Sequence, residues 1–107
     1  MDAFEAVAEP HRRALLDALR HGARPAGELV AELPRLTQPA VSRHLRILRE
    51  TGLVQVTTDA QRRVYSLKPD GLNEIDQWLE RHRQYWTRHL DALEHHLDTA
   101  QGTTNQP

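Results

Sequence analysis

Between Thr37 and Thr51 the chain sets Gln38, the adjacent Ser42 and Arg43, then Arg46 and Arg49, three or four residues from one group to the next, a spacing that lines them along one side of a helix. A glutamine amide pairs bidentately with adenine and a guanidinium with guanine, so this side offers chemistry for reading base edges in a major groove. Thr37, ahead of the free N–H groups of the first turn, suits a phosphate oxygen, and Pro39 is tolerated in that turn. His44 has two readings, a phosphate contact or a half-buried ring. The second is preferred, and His44 is still kept among the nucleic-acid-contacting candidates. Arg62 and Arg63 follow at the tip of an expected hairpin, where they reach a flanking backbone or minor groove.

Charge supports the same stretch. The 107 residues carry a net charge of −1, which alone says nothing about a polyanionic partner. From Arg35 to Lys68, however, seven basic residues stand against two acidic ones, while the remainder has seven basic and thirteen acidic. Local sign matters more than the sum for an electrostatic partner.

Other chemistries find little support. There is no Cys, which excludes disulfides, thiolate metal sites and Cys nucleophiles within the chain. Glu28 with Glu32, and Asp91 with His95, are spaced as acid–base pairs, but i, i+4 is also ordinary helix-surface pairing. No nucleophile motif or phosphate loop accompanies them, so the chain reads as a non-enzyme with no cofactor. No apolar run approaches ~20 residues, and the start MDAFEAVAEPHRR has no leader pattern, so a cytoplasmic protein with no membrane partner is expected.

The elements that position these residues follow from periodicity and punctuation. A short helix is expected over roughly Asp2–Ala8. A second begins at Pro10, carries Ala14, Leu15, Leu16, Ala18 and Leu19, and stops at His21-Gly22 with the glycine as a left-handed cap. Pro25 restarts a short helix through Glu28–Leu33, and Pro34 closes it. Thr37 caps a helix over about Gln38–Thr51, ended by Gly52, in which Val41, Leu45 and Leu48 form the inward face. Val54–Thr58 and Arg63–Leu67 read as paired strands. The Asp59–Arg62 segment between them lacks glycine, so a tight two-residue turn is not expected. A long final helix carries Leu72, Ile75, Leu79, Trp86, Leu90, Leu93 and Leu97 in one apolar seam. The tail from Thr99 to Pro107 reads as disordered, leaving residues 1–98 as one domain. Such a small domain is often stabilised by a partner subunit.

Two helices joined by a brief turn, the second of them basic, match a helix-turn-helix. The segment from Leu36 to Val54, LTQPAVSRHLRILRETGLV, closely resembles the recognition segment of ArsR-type winged helix-turn-helix transcription regulators. Ala8–Leu16 resembles the opening of that family, and Arg62–Leu67 its wing. The resemblance runs from about residue 3 to 98. It departs at the wing turn, where the family usually has a glycine and this chain has Asp59-Ala60-Gln61.

The resemblance implies a mainly α fold with a small β-hairpin, ordered α-α-α-α-β-β-α and homodimeric. It also implies binding to an imperfect palindrome in double-stranded DNA, usually as a repressor, autoregulation included. Pairing is expected through the N-terminal helix and the last one, with Phe4, Leu72, Leu79, Trp86, Leu90, Leu93 and Leu97 at the interface. Some family members release DNA on binding metal. The cysteine-bearing form of that site is absent, since Val30 and Ala31 stand in its region. The Asp/His form on the last helix is not reproduced by His82, His89, His95 and His96, three of which nonetheless recur at intervals of seven. No metal site is assigned. A metal- or pH-responsive sensor using those histidines, a small apolar effector and a protein-interaction module without DNA are the alternatives.

Overall fold

The structure, a computed structural model, describes residues 1–105, with side chains through residue 99. Its contacts divide into two units, Met1–Ile75 and Asp76–Pro107. In the first, α1 (Ala3–Ala8) opens on Asp2, whose carboxylate accepts the Glu5 N–H at 2.9 Å. Glu9 then caps α2 (Pro10–Ala18), accepting the Arg12 N–H at 2.8 Å, and Pro10 occupies the first position, where no N–H is needed. The α-helical pattern ends at Ala18, earlier than expected. Leu19 to Gly22 form turns, and Gly22 (φ +142°) redirects the chain.

A strand absent from the sequence reading comes next. Two residues, β1 (Arg24–Pro25), pair antiparallel with β3 (Arg62–Leu67), placing Arg24 opposite Tyr65 and Pro25 opposite Val64. Two residues carry no alternation to detect, and proline is at home on a sheet edge, where its missing donor is not called on. With β2 (Val54–Asp59) the order is β1-β3-β2, a three-stranded antiparallel sheet in place of a bare hairpin. The element order is therefore α-α-β-α-α-β-β-α.

The hairpin register runs from Val54 opposite Leu67 to Asp59 opposite Arg62. Only Ala60 and Gln61 lie between, so the tight two-residue turn judged unfavourable is the one that forms. Ala60 makes it possible by adopting φ +57°, a left-handed value that glycine adopts freely and alanine only at a cost.

Between β1 and β2 lie α3 (Ala26–Glu32) and α4 (Gln38–Glu50). Beyond α4, the Gly52 N–H bonds to the Arg49 carbonyl at 3.1 Å and the Leu53 N–H to Leu48 at 2.9 Å. With Gly52 at φ +79° this is a Schellman stop, and it leads Leu53 and Val54 into the core. A Cβ on Gly71 would lie 2.8 Å from the Gly52 carbonyl oxygen, so the chain closes tightly behind this stop.

One core joins α1–α4 to the sheet: Ala3, Ala6, Leu15, Leu19, Leu29, Val41, Leu45, Leu48, Leu53, Val54 and Tyr65 are buried, with Ile75 packed at its edge. Each fully buried leucine contributes about 1.5–3 kcal/mol, and Val41, Leu45 and Leu48 fix the roll of α4 about its own axis.

The helix α5 (Asn73–Asn105) begins at the end of the first unit, supplies the second from Asp76 onward and takes in most of the 99–107 segment read as a disordered tail; residues 106–107 lie outside the described residues. Aromatic side chains cluster along it. The Trp78 and His82 rings lie 4.2 Å apart between centroids, and Tyr85 stacks on His89 at 5.9 Å. Leu79, Trp86, Leu90, Leu93 and Leu97 are exposed along it, as is Leu72 just before its start. Among the described residues no helix is long and apolar enough to cross a membrane.

Candidate nucleic-acid interface

The start of α4 is fixed by Thr37, whose hydroxyl accepts the Ala40 N–H at 3.2 Å. This cap and the buried Val41-Leu45-Leu48 face leave Gln38, Pro39, Ser42, Arg43, Arg46 and Arg49 exposed. They border a groove of about 870 Å³, closed by Ala26, Gly27 and Val30 of α3 and by Arg63 and Tyr65 of β3. Arg63 lies with its guanidinium 5.8 Å from the centre of the Tyr65 ring, a cation–π contact that holds its charge on the groove side of the sheet. Arg62 is exposed beside the turn, opposite Asp59.

The groove is thus walled by four arginines and four neutral hydrogen-bonding side chains, Thr37, Gln38, Ser42 and Tyr65. Their counterions are few. Arg46 approaches Glu50 at 4.0 Å, with both side chains more than half exposed, a pair worth little and easily exchanged for a phosphate. Arg24, by contrast, is engaged by Glu32 at 2.7 Å and Glu28 at 3.4 Å. The Glu28–Glu32 pair is therefore an anchor between β1 and α3, and not acid–base machinery.

His44 departs from the exposed set. Its side chain is only 17% exposed and turns toward α2, 3.3 Å from an Arg12 guanidinium nitrogen and 3.8 Å from Glu9. The half-buried reading holds, and His44 leaves the groove-facing residues. Burial lowers its pKa from 6.5. The attraction of Glu9 opposes this, and the nearby positive charges of Arg12, His11 and Arg43 reinforce it.

Burial pushes Glu9 upward, but the hydrogen bonds from the Arg12 N–H and from His11, with the field of His44, win and bring it from 4.5 to about 2. Arg12 itself is buried. Its Nε donates to the Ala6 carbonyl at 2.8 Å and a terminal nitrogen to Glu5 at 3.2 Å, while Arg13 donates to Val7 at 2.7 Å. These bonds cover the last carbonyls of α1, which the helix leaves without partners. Sequence reasoning missed this cluster, because its members are distant along the chain and only the Glu9–His11 proximity could have signalled it.

Among the described residues, the side chains grouped closely enough to hold an ion are Glu9, His11 and His44; His82, His89, His95 and His96 form no such group within one chain. Phe4 is half-buried in α1.

Comparison with known proteins agrees with this geometry. A helix-turn-helix domain family matches residues 7–57, from the last turn of α1 into β2. The chain is 39% identical over 97 residues to the HTH-type transcriptional regulator Rv2034 of Mycobacterium tuberculosis, covering 91% of this chain and 87% of that protein. It is 33% identical over 76 residues to the transcriptional repressor SdpR of Bacillus subtilis, covering 71% and 83%. The structure of an ArsR-like transcriptional regulator from Rhodococcus sp. RHA1 superposes with a TM-score of 0.68 at 28% identity, over 86% of each chain. All three of these proteins are transcriptional regulators or repressors. A helix-turn-helix whose second helix exposes arginines, a small antiparallel sheet beside it, a transcriptional-regulator relative over 91% of the chain and an ArsR-like structural neighbour make this chain a member of the ArsR family of winged helix-turn-helix transcriptional regulators.

Proposed function

We propose that two copies of this chain bind one imperfect palindrome in duplex DNA, each placing the N-terminal half of α4 in a major groove. Gln38, Ser42, Arg43 and Arg46 approach base edges, Thr37, Pro39 and Arg49 approach the backbone, and Arg62 and Arg63 approach the flanking strand. The observation that carries this reading is the shared groove, in which an exposed, nearly counterion-free arginine face of α4 looks across at Arg63 on the sheet.

Pairing is supported by two apolar surfaces. One is the exposed ridge Leu79, Trp86, Leu90, Leu93 and Leu97 on α5. The other is a groove of about 510 Å³ lined by Val7, Leu16, Leu53, Leu67 and Leu72, near Phe4 in the chain. In this reading residues 1–98 suffice for DNA binding and pairing, with 99–107 outside both, and the two recognition helices stand roughly 34 Å apart, one turn of the duplex. Occupying a promoter in the cytoplasm then blocks polymerase, so repression is the default outcome, its own gene included, and a differently placed operator would give activation.

Footprinting on the DNA upstream of its own gene identifies the operator. On that fragment Arg43→Ala and Arg46→Ala each weaken binding by about 1–3 kcal/mol, and wild-type affinity falls steeply from low to moderate salt. Unchanged affinity in both variants rejects the assignment of α4.

A further inference from the structure

We propose that Glu9, His11 and His44 form a binding site for a divalent transition metal, with zinc as the best-matched ion, tying the start of α2 to the recognition helix. This goes beyond the DNA-binding reading and does not depend on it.

Three observations carry the site. The donor set is two imidazoles and one carboxylate, which suits zinc, cobalt or nickel and not the oxygen-seeking magnesium or calcium. One ligand atom from each of the three residues lies within 4.8 Å of the others, so small side-chain movements reach metal-bonding distance. All three side chains are half-buried, leaving solvent access for the ion and an open position for water.

The donors are also held in place by other parts of the fold. Glu9 is positioned by its capping bond to the Arg12 N–H. His11 already lies 2.7 Å from the second Glu9 oxygen. The His11 and His44 rings face each other with centroids 5.8 Å apart and planes inclined by 28°. Glu9 is ionised at neutral pH and burial favours the neutral His44 ring, the forms that bind metal.

The opposing charge is Arg12, 3.3 Å from His44 Nδ1. An ion entering the cluster displaces the His11–Glu9 hydrogen bond and competes with the Arg12–His44 contact. Arg12 keeps its bonds to the Ala6 and Glu5 carbonyls. A metal that forms strong bonds to imidazole nitrogen is the one able to win that competition. Because His44 stands on α4 and the other two donors flank the start of α2, a bound ion would staple the recognition helix to the helix behind it.

The test is zinc titration of the metal-free, full-length protein against a chromogenic chelator, with cobalt absorption as a reporter of coordination. One ion per chain is expected. Affinity should fall at least about tenfold in Glu9→Gln, His11→Gln and His44→Gln, and stay unchanged in His89→Gln. Glu9→Gln retains an oxygen for the Arg12 N–H, so its melting curve serves as the folding control. Zinc should raise the melting temperature of the wild type and leave that of Glu9→Gln where it is. Absence of stoichiometric binding, full affinity in the well-folded Glu9→Gln and His11→Gln variants, or loss of binding in His89→Gln overturns the site.

Discussion

At the scale of single residues, the most consequential side chains outside the groove are Glu9 and His44, because both give up protons more readily in the folded chain than in the unfolded one. Glu9 titrates near 2 against an ordinary 4.5, and burial moves His44 below 6.5. A depressed folded value means that the unfolded chain takes up the proton first, so stability rises with pH through each window. For metal-free protein the melting temperature should begin to drop as pH falls below 6.5, and drop again between 4.5 and 2. His44→Gln should flatten the first slope and Glu9→Gln the second; slopes that persist in these variants would show that other groups govern acid unfolding. None of this could be read from the sequence, where Glu9 and His44 stand 35 positions apart and meet only because α2 packs against α4.

At the scale of elements, legibility followed the number of independent local signals. The α4 helix announced itself through Thr37 at its cap, Pro39 in its first turn, Gly52 at its stop and apolar residues on one face, and its observed span, Gln38–Glu50, agrees with the expectation to within a residue. The short β1 had no such signals and owes its existence to pairing with β3. The wing misled for a different reason. Absence of glycine argued against a tight turn, yet tertiary pairing from Val54 to Asp59 outweighs the cost of one left-handed alanine. That cost is testable. Ala60→Gly should stabilise the chain by about 0.5–1 kcal/mol, relief of strain exceeding the added freedom of the unfolded glycine. Chemical denaturation measures it, and equal or lower stability would show that Ala60 is not strained.

At the scale of the whole molecule, the proposed pairing turns on the exposed ridge of α5. Leu93 is 48% exposed and flanked by Leu90 and Leu97, which are equally open. An aspartate there stays solvated in a single chain, but pairing over the ridge would bury its charge amid apolar surface, at a cost far above that of a surface substitution. Leu93→Asp should therefore sediment as a single chain at micromolar concentration, and lose tight operator binding with its arginine face intact. Dimers persisting in that variant would place the pairing surface elsewhere. If the ridge is what joins two chains, operator occupancy at low abundance scales with the square of the amount synthesised. A regulator that shuts off its own gene would then hold its level near the threshold of assembly, and modest changes in expression or degradation would switch its promoters abruptly instead of gradually.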